Sequence, residues 1–449
     1  MKQTSSFTED KIFLPLIRFA LPVLAALFLQ TMYGAVDLLV VGQFGTAADV
    51  SAVSTGSQVM MTITTVITGL AMGLTIFVGK KIGEGEREEA GAIIGSGIWL
   101  FAVFALLLTI VMVLAASNLA KLMHAPEKAF EQTVSYIGVC SAGAIFIVAY
   151  NLVGSIFRGI GNSTIPLMTV AIACVLNIVG DLLLVGVFQM GTTGAAIATV
   201  FAQAASVVLS LLIIRKLELP FQLSRKDIRP NGSNIKQILT LGIPIALQDL
   251  LVSISFLFII AIVNSLGLIA SAGVGVAEKL CGFVMLVPSA YMQAMSAFVA
   301  QNIGAGKPER ARKALFCGIA SSFAVGVLMF LAVFFHGDLL AGLFAKEEAV
   351  ILAAAEYLKS YAIDSMLTSF LFCFIGYFNG CGSTLFVMLQ GIVGAFGVRL
   401  PLSYFLSHIL PISLFRIGLA TPASTTVQII LCLVWFVVLL KKHKQQFAH

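Results

Sequence analysis

The sequence predicts an all-α integral membrane protein, with twelve transmembrane helices in two parallel six-helix lobes related by a pseudo-two-fold along the membrane normal. Three observations predict it. The 449-residue chain is 59% hydrophobic and 11% charged, with mean hydropathy +1.02, whereas soluble domains carry about 25% charged residues. The chain also matches its own second half at a shift of about 221 residues: Val78-Gly79-Lys80-Lys81-Ile82-Gly83-Glu84-Gly85 returns as Val299-Ala300-Gln301-Asn302-Ile303-Gly304-Ala305-Gly306. Finally, its basic residues fall in alternate loops.

A hydrocarbon core of ~30 Å needs about 20 helical residues to cross it. Runs of that kind occur at 15–40, 52–78, 92–116, 132–157, 166–189 and 193–214, and again at 238–264, 270–299, 314–335, 352–378, 385–406 and 417–440. The first and seventh are marked by a Pro in the apolar run (Pro22, Pro244) and a Gly 23 residues later (Gly45, Gly267). The second and eighth end on the Gly-rich stretches 79–85 and 300–306, whose glycines suit tight turns between spans. Phe157-Arg158-Gly159-Ile160-Gly161 closes the fourth and returns as Phe378-Asn379-Gly380-Cys381-Gly382 at the end of the tenth. The third, sixth, ninth and twelfth are plain apolar runs, and the fifth and eleventh carry charges discussed below.

Of the 27 Lys and Arg, 20 fall on one side: Lys2, Lys11, Arg18, Lys80, Lys81, Arg87, Arg158, Arg215, Lys216, Arg225, Lys226, Arg229, Lys236, Lys307, Arg310, Arg312, Lys313, Lys441, Lys442 and Lys444. Lys121, Lys128, Lys346 and Arg416 face the other way, and Lys279, Lys359 and Arg399 lie within spans. The positive-inside rule therefore puts both termini of this multi-pass protein in the cytoplasm. Six crossings bring the chain back to its starting side, so the lobes run parallel: 1–214, a basic cytoplasmic linker 215–236 with Pro220, Pro230 and Gly232, and 237–449. In a hydrophobic chain, two matching halves point to a transporter with its substrate path between them.

Several classes are excluded. The net charge of +6 is spread over loops, which argues against nucleic acid as a partner. The seven cysteines sit in or beside apolar spans without CxxC spacing, as buried small hydrophobes. The Gly-rich stretches lack the Lys-Ser/Thr pair of a nucleotide-binding loop, so no ATP-driven step is expected. All five histidines (His124, His336, His408, His443, His449) are expected in loops or termini, and no HExxH or GxSxG occurs, so the chain is not read as an enzyme. The apolar N-terminal run is too long for a signal-peptide core and is read as retained. No cofactor is implied.

Function is read from polar groups that lipid would not tolerate. An Asp at a helix centre costs about 2.5–3.5 kcal/mol on insertion scales, so it faces a cavity or a partner. Asp37 lies deep in the first span with Gln30 two turns earlier on the same face; Asn177 and Asp181 stand one turn apart in the fifth; Thr199 is in the sixth and Asn151 in the fourth. Carboxylate, amide and hydroxyl oxygens suit a hard cation. Burial and mutual repulsion of two carboxylates equally favour holding a proton, so Na⁺ and H⁺ both remain open, and no other metal is implied.

At the 221 shift, Asn177 and Asp181 map onto Val398 and Leu402, with Arg399 alongside. Lys279 and Arg399 are the basic intramembrane residues of the second half, with Glu278 and Asp364 as acidic partners in structural ion pairs, or in a substrate or coupling role. Asp249 and Glu356 are expected near span ends. Phe256, Phe258, Phe283, Met285, Tyr291, Met292, Met295, Met366 and Met388 supply soft, bulky surface suited to organic cations.

The Pro and Asp of the first span, Asn177-x-x-x-Asp181 in the fifth, Phe-Arg-Gly-Ile-Gly-Asn-Ser-Thr at 157–164, Asn-Gly-Cys-Gly-Ser-Thr at 379–384 and Arg399-Leu400-Pro401 together resemble the multidrug and toxic compound extrusion (MATE) family over essentially the whole chain. The resemblance implies secondary active export of lipophilic, mostly cationic compounds by antiport with Na⁺ or H⁺ and alternating access. It implies a cation site at Asp37, Asn177, Asp181 and Thr199, with Gln30 and Asn151 in the surrounding network and bending at Pro22. Lys279, Asp364, Arg399, Met285, Tyr291 and Met292 are the candidate substrate or ion-pair residues of the second lobe. A network Asn of some members falls here near Gly154, and a second-lobe acid pair of one branch falls near Ser253 and Thr368, which places the chain with the N-lobe-site branch. Its partners are then small lipophilic cations and membrane lipids, and the expected state is a monomer. The alternative is a flippase or exporter of lipid-linked or anionic precursors from the same wider superfamily.

Overall fold

The computed structural model describes residues 7–9, 11–216, 219, 221, 223 and 225–446. Lys2, His449 and Pro220 of the linker lie outside the described residues. In hydrocarbon a backbone N–H or C=O has to find its partner within its own segment, so long apolar runs become helices. In chain order these are α1 (Phe13–Phe44), α2 (Ala47–Glu84), α3 (Arg87–Leu122), α4 (Phe130–Ala142), α5 (Ala144–Gly159), α6 (Thr164–Asp181), α7 (Gly191–Ile214) and α8 (Gly232–Asn264). They continue as α9 (Leu268–Val284), α10 (Leu286–Gly304), α11 (Pro308–Gly342), α12 (Glu348–Gly380), α13 (Thr384–Ile392), α14 (Leu400–Ser407), α15 (Leu414–Gly418) and α16 (Ala420–Gln446). Among the described residues, eleven helical segments are long and apolar enough to cross a membrane; a pair bent by 49°, Glu127–Ala142 with Ala144–Gly159, supplies a twelfth. The helices outrun the apolar windows, α2 reaching Glu84 and α3 starting at Arg87, because the hydrogen-bond ladder continues into the polar flanks.

Several spans are interrupted, which the hydropathy pattern does not announce. The fourth bends at Gly143, where a Cβ would stand 2.5 Å from Val200 Cγ1, so the approach of α7 there relies on a bare backbone. The eighth breaks at Met285 between α9 and α10. The fifth carries a π-helical segment over Leu182–Val187, directly after Asp181, and the eleventh carries one over Val393–Arg399. One-turn π segments inside α-helices are frequently found at functional sites.

The chain packs as two compact units. The first is chiefly Ile17–Ala246 and takes in Ala300–Lys307; the second comprises Leu247–Val299 and the residues from Pro308 onward, with Lys11–Leu16. The first has a core along α2 and α3 (Ile67, Leu74, Ile93, Ile94, Phe101), and the second a core around α9 and α12 (Val274, Ala277, Tyr357, Leu358).

The Gly-rich stretches do more than turn. Gly85 (φ +79°) caps α2 and Gly306 (φ +68°) follows α10, as tight turns require. Gly83 and Gly304 instead mark a close approach within the first unit: a Cβ on Gly83 would run into the Gln301 carbonyl, and one on Gly304 into that of Lys80. The contact is reciprocal between repeat-related positions. The linker is not simply a solvated connector either. Ser96 Oγ lies 3.4 Å from the Arg229 carbonyl, Asn234 Nδ2 donates to Ser96 Oγ at 3.4 Å, and Gly95 abuts the Asp227 carbonyl. His336, expected in a loop, sits at a kink inside α11 (φ −128°, ψ 26°).

Candidate functional site

The first unit draws Asp37 from α1, Asn177 and Asp181 from α6 and Thr199 from α7 into one cluster. Asn177 and Asp181 stand one turn apart and are fully buried; Asp37 is 3% exposed. Thr199 Oγ1 donates to Asp37 Oδ2 at 3.1 Å and receives Asn177 Nδ2 at 3.4 Å. Asp181 is within hydrogen-bonding reach of Asp37. Four acceptor oxygens remain without a donor: Asp37 Oδ1, Asn177 Oδ1 and both oxygens of Asp181. A buried polar atom left unpaired costs about 1–3 kcal/mol, and more when charged. Four such acceptors in one cluster have the donor chemistry to take up a cation or protons.

Gln30 and Asn151 are not bonded to this cluster. Gln30 Nε2 donates to the Tyr150 hydroxyl at 2.9 Å, while Asn151 Oδ1 accepts from Thr68 Oγ1 at 2.9 Å and its Nδ2 returns to the Ile147 carbonyl. They form a separate layer linked through the adjacent Tyr150 and Asn151. Gly154, near which the sequence resemblance would set a network Asn, lies against the Arg158 guanidinium, 3.2 Å from Nη1 to a Cβ placed there. Pro22 lies inside α1 and is half-buried; lacking an N–H, it leaves the Arg18 carbonyl without its helical donor.

Asp49 supplies the contrast. Its Oδ2 accepts from Thr46 N at 2.9 Å and Thr46 Oγ1 at 2.7 Å, closing a capping box at the start of α2; its Oδ1 accepts from Thr192 N at 3.2 Å and Thr192 Oγ1 at 2.7 Å. This carboxylate is fully engaged in tying α2 to α7.

In the second unit, Arg399 is 5% exposed, donates from Nη1 to Ser255 Oγ at 3.2 Å and lies 4.3 Å over the Phe256 ring. Asp364 on α12 is buried, within reach of Thr425 and within the field of Arg399. Glu278 Oε1 accepts from the hydroxyls of Tyr361 (3.2 Å) and Tyr357 (3.3 Å). The expected ion pairs do not form: among the described residues neither Arg399 nor Lys279 has a carboxylate within 4.0 Å, and Lys279 is exposed. A lysine's long stem lets its charge stay in a polar medium, and the tyrosines take its place beside Glu278. Met285 lies at the α9–α10 break, Tyr291 is buried on α10, and Gly376 of α12 closes on the Met292 carbonyl, so these serve packing as well as surface.

Two expectations near span ends part ways. Glu356 accepts from Ser413 Oγ at 2.5 Å and Phe415 N at 3.3 Å, holding the start of α15. Asp249 instead lies in mid-α8, half-buried beside the buried Gln248, well inside the apolar run as well as the helix. Sequence reasoning also missed Tyr150, Thr68, Tyr357 and Tyr361. Their hydroxyls follow no spacing rule, and only the packing of separate helices brings them to Gln30, Asn151 and Glu278.

The repeat is also corrected by one residue in the eleventh span. There Arg399, Ser403 and Ser407 form the buried face, while Val398 and Leu402 are only half-buried. A shift of 222, as between Pro22 and Pro244, thus sets Asn177 against Arg399 and Asp181 against Ser403.

A family model described as MatE matches residues 22–183 and again 244–405. The probable multidrug resistance protein YoeA of Bacillus subtilis (strain 168) is 23% identical over 435 residues, 95% of this chain and 94% of its own length. The multidrug export protein MepA of Staphylococcus aureus (strain MRSA252) is 22% identical over 396 residues, 87% of this chain and 88% of its own. Among solved structures, a multidrug resistance MATE family transporter of the MOP superfamily, in an outward-facing conformation, superposes with a TM-score of 0.92 at 22% identity, over 99% of each chain. That last likeness concerns the fold. The family model takes in most of the chain, once in each repeat, and the chain belongs to the MatE family.

Proposed function

We propose that this protein is a secondary active exporter of lipophilic, mostly cationic compounds that exchanges them for Na⁺ or H⁺ at Asp37, Asn177, Asp181 and Thr199. The observation that carries the reading is the pair of buried carboxylates within reach of each other, three of whose oxygens, together with Asn177 Oδ1, are acceptors without donors. Such a site is stable only when neutralised, so its occupancy shifts the balance between two conformations, and differential affinity is all that coupling needs. The names of the B. subtilis and S. aureus relatives support drug-like cargo. The coupling site belongs to a six-helix lobe of residues 1–214, joined by the basic linker 215–236 to a second lobe of residues 237–449, and Pro22 bends α1 between states. The protein works as a monomer in the plasma membrane with both termini in the cytoplasm, as a transporter without cofactor or catalytic residues.

The test is uptake of a fluorescent cationic dye by proteoliposomes under an imposed Na⁺ gradient or pH gradient, with wild type and Asp37→Asn side by side. Uptake under one gradient, lost in the variant, names the ion and supports the site. No gradient-driven uptake under either condition would favour a flippase of lipid-linked or anionic precursors.

A further inference from the structure

The second repeat answers the cation cluster of the first with side chains of a different charge. The two family-matched segments, 22–183 and 244–405, begin and end 222 residues apart (244 − 22 and 405 − 183). At that offset Asp37 corresponds to Ile259, Asn177 to Arg399 and Asp181 to Ser403; carried past the matched segments, it sets Thr199 against Thr421, and all four counterparts are buried. Arg399 and Ser403 stand one turn apart on α13–α14 as Asn177 and Asp181 do on α6. Ser424 of α16 donates to the Gly394 carbonyl at 2.7 Å, and Thr425, whose hydroxyl donates to the Thr421 carbonyl, is within reach of Asp364. Arg399 Nε, Ser403 Oγ, Thr421 Oγ1 and Asp364 Oδ1 are all buried without a partner.

We infer that Arg399 is a tethered cation occupying the second repeat's counterpart of the coupling site, so that only the first unit loads an exchangeable cation and Arg399 sets the ion stoichiometry. The inference rests on the reading of Asp37 and Asp181 given above. A guanidinium suits the role because it does not lose its proton, is weakly hydrated and settles on an aromatic face, here Phe256 at 4.3 Å. The charged groups facing it are Asp364 from α12 and, with its oxygen engaged by two tyrosines, Glu278 from α9. With Arg399 present, Asp364 lies in the field of a cation that does not leave, although the two do not close an ion pair. Without it, Asp364, Ser403, Thr421 and Ser255 offer the same all-oxygen chemistry as the first repeat, which takes a small monovalent cation or a proton.

The purified full chain is compared as wild type, R399K, R399Q and R399Q/D364N, each alone and with D37N. Equilibrium binding of radioactive Na⁺ forms one arm and proton uptake by a weakly buffered sample the other. R399Q is expected to gain one further cation per chain over its parent, in the Na⁺ arm or the proton arm according to the ligand, while R399K and R399Q/D364N gain none. Added Na⁺ or lowered pH should raise the melting temperature of R399Q and leave that of R399K unmoved. If R399Q survives purification only with Na⁺ or at low pH while R399Q/D364N needs neither, the inference is equally supported. Equal cation uptake by R399Q and its parent in both arms overturns it, as does R399Q/D364N being as unstable as R399Q. Ion binding retained by D37N with Arg399 intact would defeat the coupling-site reading alone, since the difference between R399Q and its parent is read within each background.

Discussion

Asp181→Asn separates a coupling carboxylate from a structural one. The amide has the shape of the carboxylate, so the substitution removes a charge and little volume, and neither Asp181 oxygen accepts a hydrogen bond that would be lost. A monovalent cation about 4 Å from that charge loses about 4 kcal/mol at an effective dielectric of 20, or about a thousandfold in affinity at ~1.4 kcal/mol per factor of ten. In the ion-free protein the sign reverses, because the change relieves repulsion between two buried carboxylates within reach of each other. The assay is thermal unfolding of purified protein across Na⁺ concentrations and pH values, with dye transport measured in parallel. An ion at a hundred times its Kd stabilises the folded state by about 2.7 kcal/mol. Wild type should show that rise; the variant should start at or above ion-free wild type, show none of it and fail to transport. A variant that melts well below ion-free wild type, yet binds the ion within about tenfold of wild type by the same affinity scale, would refute the reasoning.

Two further outcomes follow from the backbone. Pro22→Ala gives α1 the N–H that the Arg18 carbonyl lacks, so the helix gains a bond and loses its bending point; dye transport should slow with expression and melting near normal, and unchanged turnover disposes of the bending idea. Gly304→Ala places a methyl against the backbone of Lys80, 2.8 Å from its carbonyl carbon, and overpacking of that kind costs about 1–3 kcal/mol. Gly306→Ala, at φ +68° with open space around it, should cost only the left-handed strain of about 1 kcal/mol. Equal losses in thermal unfolding would mean that the helix ends can part to admit the methyl.

The spans were legible because hydrocarbon permits few solutions for an apolar run of that length, and Asp37, Asn177, Asp181 and Thr199 were legible because charge and amide have few excuses inside such runs. What escaped depends on rotation about helix axes. Gln30 shares a face with Asp37, yet the Tyr150 hydroxyl on another helix claims it. Arg399 was one residue off the repeat because shifts of 221 and 222 both occur along the chain, and only the burial of Arg399, Ser403 and Ser407 fixes which applies in the eleventh span. The bend at Gly143, the break at Met285 and the π segments have no periodic signature; at Gly143 the close neighbour is Val200, far away in the sequence.

The carboxylates of this chain sort themselves by the donors they receive. Asp49 takes four hydrogen bonds, Glu356 two and Glu278 two, so the protein itself stabilises each and an added cation has little to offer them. Asp37 takes one, and Asp181 takes no donor bond that would survive its sharing a buried site with Asp37. A group whose partners are built in contributes equally to every state in which those partners persist. A group whose partners are missing contributes according to what binds it, and only such a group lets an external ion set the relative stability of two conformations. On the proposed reading, coupling therefore requires a deficit of donors at Asp181. Supplying them should uncouple the protein as surely as removing the charge: a variant such as Ala198→Ser, on α7 beside Thr199, would do so if its hydroxyl reaches Asp181. Its expected signature is a higher ion-free melting temperature together with weaker ion-dependent stabilisation. Stabilisation of both forms by the same amount would show that the deficit is not what drives the exchange.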